Sequence, residues 1–158
     1  MMETDQLVQL ECNVDDATPE TLAHAARRLM EMGALDVWMT PIVMKKGRPG
    51  VLLSVLTRPG LAESLTEIVF RETTTLGVRR FRVDRVALPR RVVTVETEFG
   101  PLEVKLACLE GRVVTVAPEY ESCRAAAEWY GVSLRKVYEA ARGAAGRIGD
   151  ECPEGADH

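Results

Sequence analysis

Histidine is almost absent from this 158-residue chain: His24 and the terminal His158 are the only two, and the four cysteines at 12, 108, 123 and 152 include no Cys-x-x-Cys pair. That pattern argues against a tetrahedral zinc centre. The cysteines are read as reduced, small hydrophobes, since Cys12 and Cys108 fall in the apolar phase of strand-like segments and Cys123 in a helical one. No apolar run approaches the roughly 20 residues that span a bilayer. The opening Met1-Met2-Glu3-Thr4-Asp5 lacks the basic start and apolar middle of a signal peptide, so a cytoplasmic location without membrane attachment is the default. The Gly-x-Ser-x-Gly elbow, the Gly-x4-Gly-Lys-[Ser/Thr] loop and Gly-x-Gly-x-x-Gly are all missing, which removes the nucleophile elbow and the two commonest phosphate cradles. No usable internal repeat is present. A formal charge of −4 speaks against a general nucleic-acid binder, while 46% hydrophobic and 28% charged residues fit one domain or two small ones.

What is present begins with Glu11-Cys12-Asn13-Val14-Asp15-Asp16. At two residues per repeat, Gln9, Glu11, Asn13 and Asp15 share one face of a strand, and Leu10, Cys12 and Val14 the other. One face is core and the other is a line of oxygen ligands, whose burial without partners costs several kcal/mol. Such a line faces water, basic groups or a hard cation.

The chain reads as α+β. A strand over 6–15 is followed by a helix that Thr18 caps, Pro19 opens and Gly33 stops, with Leu22, Ala25, Ala26, Leu29 and Met30 on one stripe. Strands over 34–44 and 51–57, a helix over 59–73 and a strand over 78–88 complete a βαββαβ order. This is the ferredoxin-like unit, an antiparallel four-stranded sheet with both helices on one face. Alternating segments at 91–98, 102–109 and 112–117 then predict a small β-meander, and helices are expected at 119–130 and 133–141. The implied organisation is a ferredoxin-like domain over 1–88, a meander plus two C-terminal helices over 89–145, and a glycine-rich tail over 146–158 that frays.

In this topology the first strand is central and its acidic face is the uncovered one. Arg80 and Arg82 are expected in the phase that neighbours Glu11 and Asn13, a purely structural pairing worth roughly 0.2 to 1 kcal/mol. Asp15 and Asp16, closing the strand before a helix, complement its dipole, and equally make a nest for magnesium or manganese carrying a phosphate substrate. The turn Lys45-Lys46-Gly47-Arg48-Pro49-Gly50 offers complementary charge, although a charged hairpin loop is most often only solvated. Thr73-Thr74-Thr75 is a poor helix ending and marks a binding loop. His24 is expected at the surface, and Trp129, Tyr130 and Tyr138 are expected to pack the last two helices.

Taken in order, Glu11 to Glu20, Met44 to Gly50, Arg71 to Arg79, Lys105 and Pro118-Glu119-Tyr120-Glu121 resemble the C-terminal domain of the LarC-type nickel insertion proteins, over about residues 6–142. The resemblance implies a CTP-dependent cyclometallase of the lyase class. Nickel, the inserted substrate metal, enters pyridinium-3,5-bisthiocarboxylate mononucleotide, while CTP is hydrolysed to CMP and pyrophosphate with Mn2+ or Mg2+. The product is the nickel-pincer cofactor of lactate racemase. The resemblance further implies a larger N-terminal domain as partner. Met1 before Met2 looks like a new start at a domain boundary, and a natural stand-alone half is the other possibility.

Within that picture Asp15 and Asp16 hold the divalent ion, with Glu11 and Glu72 as secondary candidates. Lys45, Lys46, Arg48 and Arg79 neutralise the triphosphate, Thr73, Thr74 and Thr75 bond phosphate or ribose, and Lys105 reaches the site from the second unit. The competing expectation is a noncatalytic ferredoxin-like regulatory or oligomerisation module. A homo-oligomer is expected under both.

Overall fold

The structure, a computed structural model, describes residues 3–148 and residue 152. The chain divides into two compact units, one of residues 4–85 and the other from residue 86 onward.

In the first unit, strand β1 (Glu3–Val14) leads into helix α1 (Pro19–Glu31), then β2 (Asp36–Val43), β3 (Pro49–Thr57), helix α2 (Ala62–Glu72) and β4 (Arg79–Ala87). The sheet order β2-β3-β1-β4 is the ferredoxin-like order expected from the sequence, with β1 central. β3 runs antiparallel to both β1 and β2, in a register that sets Glu11 opposite Ser54 and Ser54 opposite Trp38.

Alternation in β1 decides the layers. Leu10, Cys12 and Val14 are buried with Leu53 and Val55 of β3, Leu22 and Leu29 of α1, and Leu65 and Val69 of α2. Full burial of each such side chain contributes about 1.5–3 kcal/mol. Both helices thus cover one face, and Glu11, Asn13 and Ser54 lie on the other. α1 forms where expected because the Thr18 hydroxyl accepts from the Thr21 N–H and Pro19 occupies the first turn. It ends two residues before Gly33, whose φ of +96° suits glycine just past a helix end.

The second unit is a three-stranded antiparallel meander of β5 (Arg90–Thr97), β6 (Gly100–Leu109) and β7 (Arg112–Pro118), followed by α3 (Tyr120–Tyr130) and α4 (Leu134–Ala145). Val95, Leu102, Val104 and Leu106 from the strands pack with Cys123, Ala127, Val137 and Ala141 from the helices. Glu110 and Gly111 both take positive φ, 51° and 77°, the mirror-image two-residue turn that matches strand twist and closes the β6–β7 hairpin.

Three expectations need correction. Cys108 is not a reduced hydrophobe but forms a disulfide with Cys152, their Cα atoms 6.0 Å apart. The bond joins residues 44 positions apart, which spacing in the chain does not reveal. Trp129 does not pack the last helices: it is 83% exposed, because the buried stripe of α3 runs through Cys123 and Ala127, four apart, and Trp129 lies round the helix from it. Tyr130 is half exposed and stands edge-on to Phe99 of the β5–β6 turn at 5.7 Å rather than packing between the helices, while Tyr138 lies against the core. The third is the phase of β4, which is one residue off the expected one. α4 also continues past Ala141 to Ala145, and most of the tail expected to fray lies outside the described residues.

Candidate functional site

Antiparallel pairing brings three segments to one end of the first unit's sheet. Val14 pairs with Val51, so the end of β1 lies beside the start of β3 and the β2–β3 turn, and β4 starts there at Arg79. The approach is close at Gly50, where a Cβ would stand 2.9 Å from the Val14 carbonyl oxygen and 2.8 Å from the Met44 sulfur. Only glycine fits without displacing one of them.

Side chains join the three segments. Arg48 Nη1 lies 3.6 Å from Asp15 Oδ2, tying the basic turn to the end of β1. The Thr74 hydroxyl donates to Asp16 Oδ1, tying in the α2–β4 loop. Arg79 Nη2 donates to Asn13 Oδ1 at 2.7 Å and lies 3.5 Å from Glu11 Oε2, while Gln9 Nε2 donates to Glu11 Oε1 at 2.6 Å. Here the β4 expectation is corrected. Arg79, not Arg80 or Arg82, faces Glu11 and Asn13, and Arg80 bonds Glu63 of α2 at 2.9 Å. A one-residue difference in phase exchanges the faces of a strand.

The remaining candidates divide. Lys45 and Lys46 form no ion pair among the described residues. Lys46 has φ 62°, a left-handed conformation that costs a non-glycine residue about 1–3 kcal/mol and concentrates at binding loops. The Thr73 hydroxyl donates to the Val69 carbonyl at 2.7 Å and accepts from the Thr75 N–H, and the Thr75 hydroxyl donates to the Gly77 carbonyl at 3.0 Å. Both therefore brace the loop, and Thr74 is the threonine that reaches across to β1. Glu72 is engaged by His24 Nε2 at 3.3 Å. Lys105 lies in the second unit, where it pairs with Glu119 at 2.6 Å.

Burial pushes the Cys12 thiol above its ordinary range, against smaller opposing pulls from a Thr75 hydrogen bond and the charge of Arg79. A protonated thiol is a poor metal ligand. Among the described residues no three His, Cys, Asp or Glu side chains converge into a ready metal cage. Two adjacent carboxylates supply hard oxygen donors, which suit Mg2+ or Mn2+ taking its other ligands from water and phosphate. Asn13 as the anchor of Arg79 and the Thr74–Asp16 contact are the elements that reading the sequence missed. The alternation of Asn13 with Glu11 was the available signal for the first, and three consecutive threonines concealed the second.

The family model of the nickel insertion proteins matches residues 1–138. A Myxococcus xanthus relative bearing that family name is 50% identical over 137 residues, 87% of this chain and 35% of its own length. The pyridinium-3,5-bisthiocarboxylic acid mononucleotide nickel insertion protein of Clostridium acetobutylicum is 47% identical over 131 residues, 83% of this chain and 31% of its own. The chain thus spans about a third of the length of the curated relatives it matches. Among solved structures, apo LarC2, described as the C-terminal domain of a cyclometallase involved in the synthesis of the NPN cofactor of lactate racemase, superposes with a TM-score of 0.84 at 37% identity, covering 91% of this chain and 99% of that one. The chain belongs to the nickel insertion protein family and corresponds to the C-terminal domain of its LarC-type members.

Proposed function

We propose that this chain is the nucleotide-binding part of a nickel insertase, holding CTP with Mg2+ or Mn2+ at the end of β1. It thereby serves insertion of nickel, the substrate metal, into pyridinium-3,5-bisthiocarboxylic acid mononucleotide. The substrate is the one for which the Clostridium acetobutylicum relative is named, and the cyclometallase context is that of LarC2. The observation that carries the nucleotide half is the meeting of Asp15 with Arg48 and of Asp16 with Thr74, which joins three segments distant in the chain.

Charge supports the pairing of nucleotide and ion. Lys45, Lys46, Arg48 and Arg79 stand against Glu11, Asp15, Asp16 and Glu72, four cations to four carboxylates. With no excess positive charge a bare triphosphate is left uncompensated, and a metal–triphosphate is better suited. When bound, the divalent ion neutralises and polarises the phosphate oxygens it touches. Asp15 and Asp16 hold it directly or through water, with Glu11 and Glu72 behind them. Lys45 and Lys46 supply mobile point charges, Arg48 a fork, and Arg79 a guanidinium fixed in place by Asn13 and Glu11. Thr74 turns its hydroxyl from Asp16 to a phosphate or ribose oxygen, and Thr73 and Thr75 shape the loop around it. CTP leaves as CMP and pyrophosphate.

The full reaction draws on the larger part of the longer relatives, as a separate N-terminal domain. The assembly is a cytoplasmic homo-oligomer, for which the full exposure of Leu76 and the 78% exposure of Val43 supply apolar contact surface. A thermal-shift series with CTP, ATP, GTP and UTP in Mn2+ tests the reading. Selective stabilisation by CTP is expected, whereas no shift with any nucleotide sinks it in favour of a noncatalytic regulatory or oligomerisation module.

A further inference from the structure

We propose that Cys108 and Cys152 form a reversible redox clasp, which fastens the chain beyond α4 to the β6–β7 hairpin when oxidised and frees it when reduced. Two attachments meet there. The disulfide joins the Cys152 side chain to β6, and the Cys152 N–H donates to the Gly111 carbonyl at the hairpin tip, 2.8 Å away. At the end of α4, Ala145, Gly146 and Ile148 form a groove with Leu106, Val113 and Val116 of the hairpin. Cys108 sits where the β6–β7 ladder slips register, between Ala107 and Cys108, a local break in regular pairing.

Burial separates a switch from a structural staple. The second unit's core cluster is built from Val95, Leu102, Val104, Leu106, Val137 and their neighbours, and neither cysteine is a member of it, although Cys108 is itself buried. Cys152 is partly exposed and Cys108 buried, which makes Cys152 the sulfur that reagents reach first. The family match ends at residue 138, so Cys152 lies beyond it and the clasp is not a requirement of the shared fold. In the cytoplasmic setting proposed above, disulfides are characteristically transient and redox-sensing.

The chemistry is thiol–disulfide exchange with an oxidised low-molecular-weight disulfide such as glutathione disulfide. The Cys152 thiolate attacks that disulfide and expels one small thiolate, giving a mixed disulfide. The Cys108 thiolate then attacks the Cys152 sulfur and expels the second. The two protein thiol protons end on the two released thiols, and the protein is oxidised by two electrons as the small disulfide is reduced.

The full chain is to be equilibrated across glutathione ratios, alkylated, and analysed by mass spectrometry and limited trypsin digestion. We expect the Cys108–Cys152 linkage to form and disappear reversibly while Cys12 and Cys123 stay reduced. On reduction or in Cys152→Ser, cleavage after Arg147 should accelerate by about tenfold or more, as local release implies, with a melting point lower by only a few degrees. Absence of the linkage at every ratio overturns the proposal. So does an unchanged cleavage rate, or loss of the whole second unit's fold on reduction. Because none of these readouts involves nucleotide, the clasp and the CTP reading fail separately.

Discussion

The Thr74 hydroxyl donates to the carboxylate of Asp16 across 58 positions of sequence, so the loop after α2 is held to the end of β1 before any ligand arrives. Asp16→Asn keeps the shape and removes the charge. A hydrogen bond to a charged group is worth about 1.5–3 kcal/mol, so Mn–CTP affinity by calorimetry should fall about tenfold or more. Thr74→Val should cost roughly fivefold, about 1 kcal/mol. Equal affinity in both variants removes this end of β1 as the nucleotide site.

Arg48 masks Asp15 in the nucleotide-free protein. Arg48→Ala should therefore move two measurements in opposite directions. Mn2+ alone, counted by electron paramagnetic resonance, should bind about two- to fivefold more tightly, the scale of an exposed ion pair of up to about 1 kcal/mol. Mn–CTP should bind more weakly. A loss in both measurements assigns Arg48 to fold maintenance.

Gly50 links packing to the site. A methyl group there meets the Val14 carbonyl and the Met44 sulfur, both under 3 Å. Gly50→Ala should destabilise the first unit by about 1–3 kcal/mol, the usual cost of overpacking, and should displace the basic turn enough to weaken nucleotide binding. Chemical denaturation and calorimetry on one sample check both.

The two free cysteines set an alkaline limit. Burial raises Cys12 and Cys123 above their ordinary value of 9.0, so the folded chain retains thiol protons that the unfolded chain gives up. Their contribution to stability is complete below pH 9 and is lost as pH rises from there through the raised folded values, because the unfolded state then binds fewer protons. Melting temperature should therefore decline above pH 9 in the wild type, and less steeply in Cys12→Ala than its neutral-pH destabilisation alone would give. Parallel curves for the two proteins would assign the decline to other groups.

Much of the first unit is legible in sequence because β1 obeys a strict alternation and α1 carries start and stop residues. Leu10, Cys12 and Val14 lie in the core, and β1 takes the central place expected of it. The site was legible as chemistry but not as pairing. A loop with no periodicity hides where β4 starts, so the arginine meeting Asn13 fell one residue away from the expected phase. Three identical threonines differ only by where the backbone carbonyls of Val69 and Gly77 happen to lie. The Cys108–Cys152 bond was invisible for a different reason: it depends on where a whole hairpin and a helix end, and no local pattern encodes that distance.

The central position of β1 has a mechanical meaning. A strand paired on both edges is a shared axle: displacing its last residues loads β3 on one side and β4 on the other. A ligand that touches only Asp15 and Asp16 should then slow amide exchange at the near ends of both neighbours, in residues it never contacts. Occupancy of one small acidic corner would be broadcast across the width of the sheet, toward whatever lies against its uncovered face.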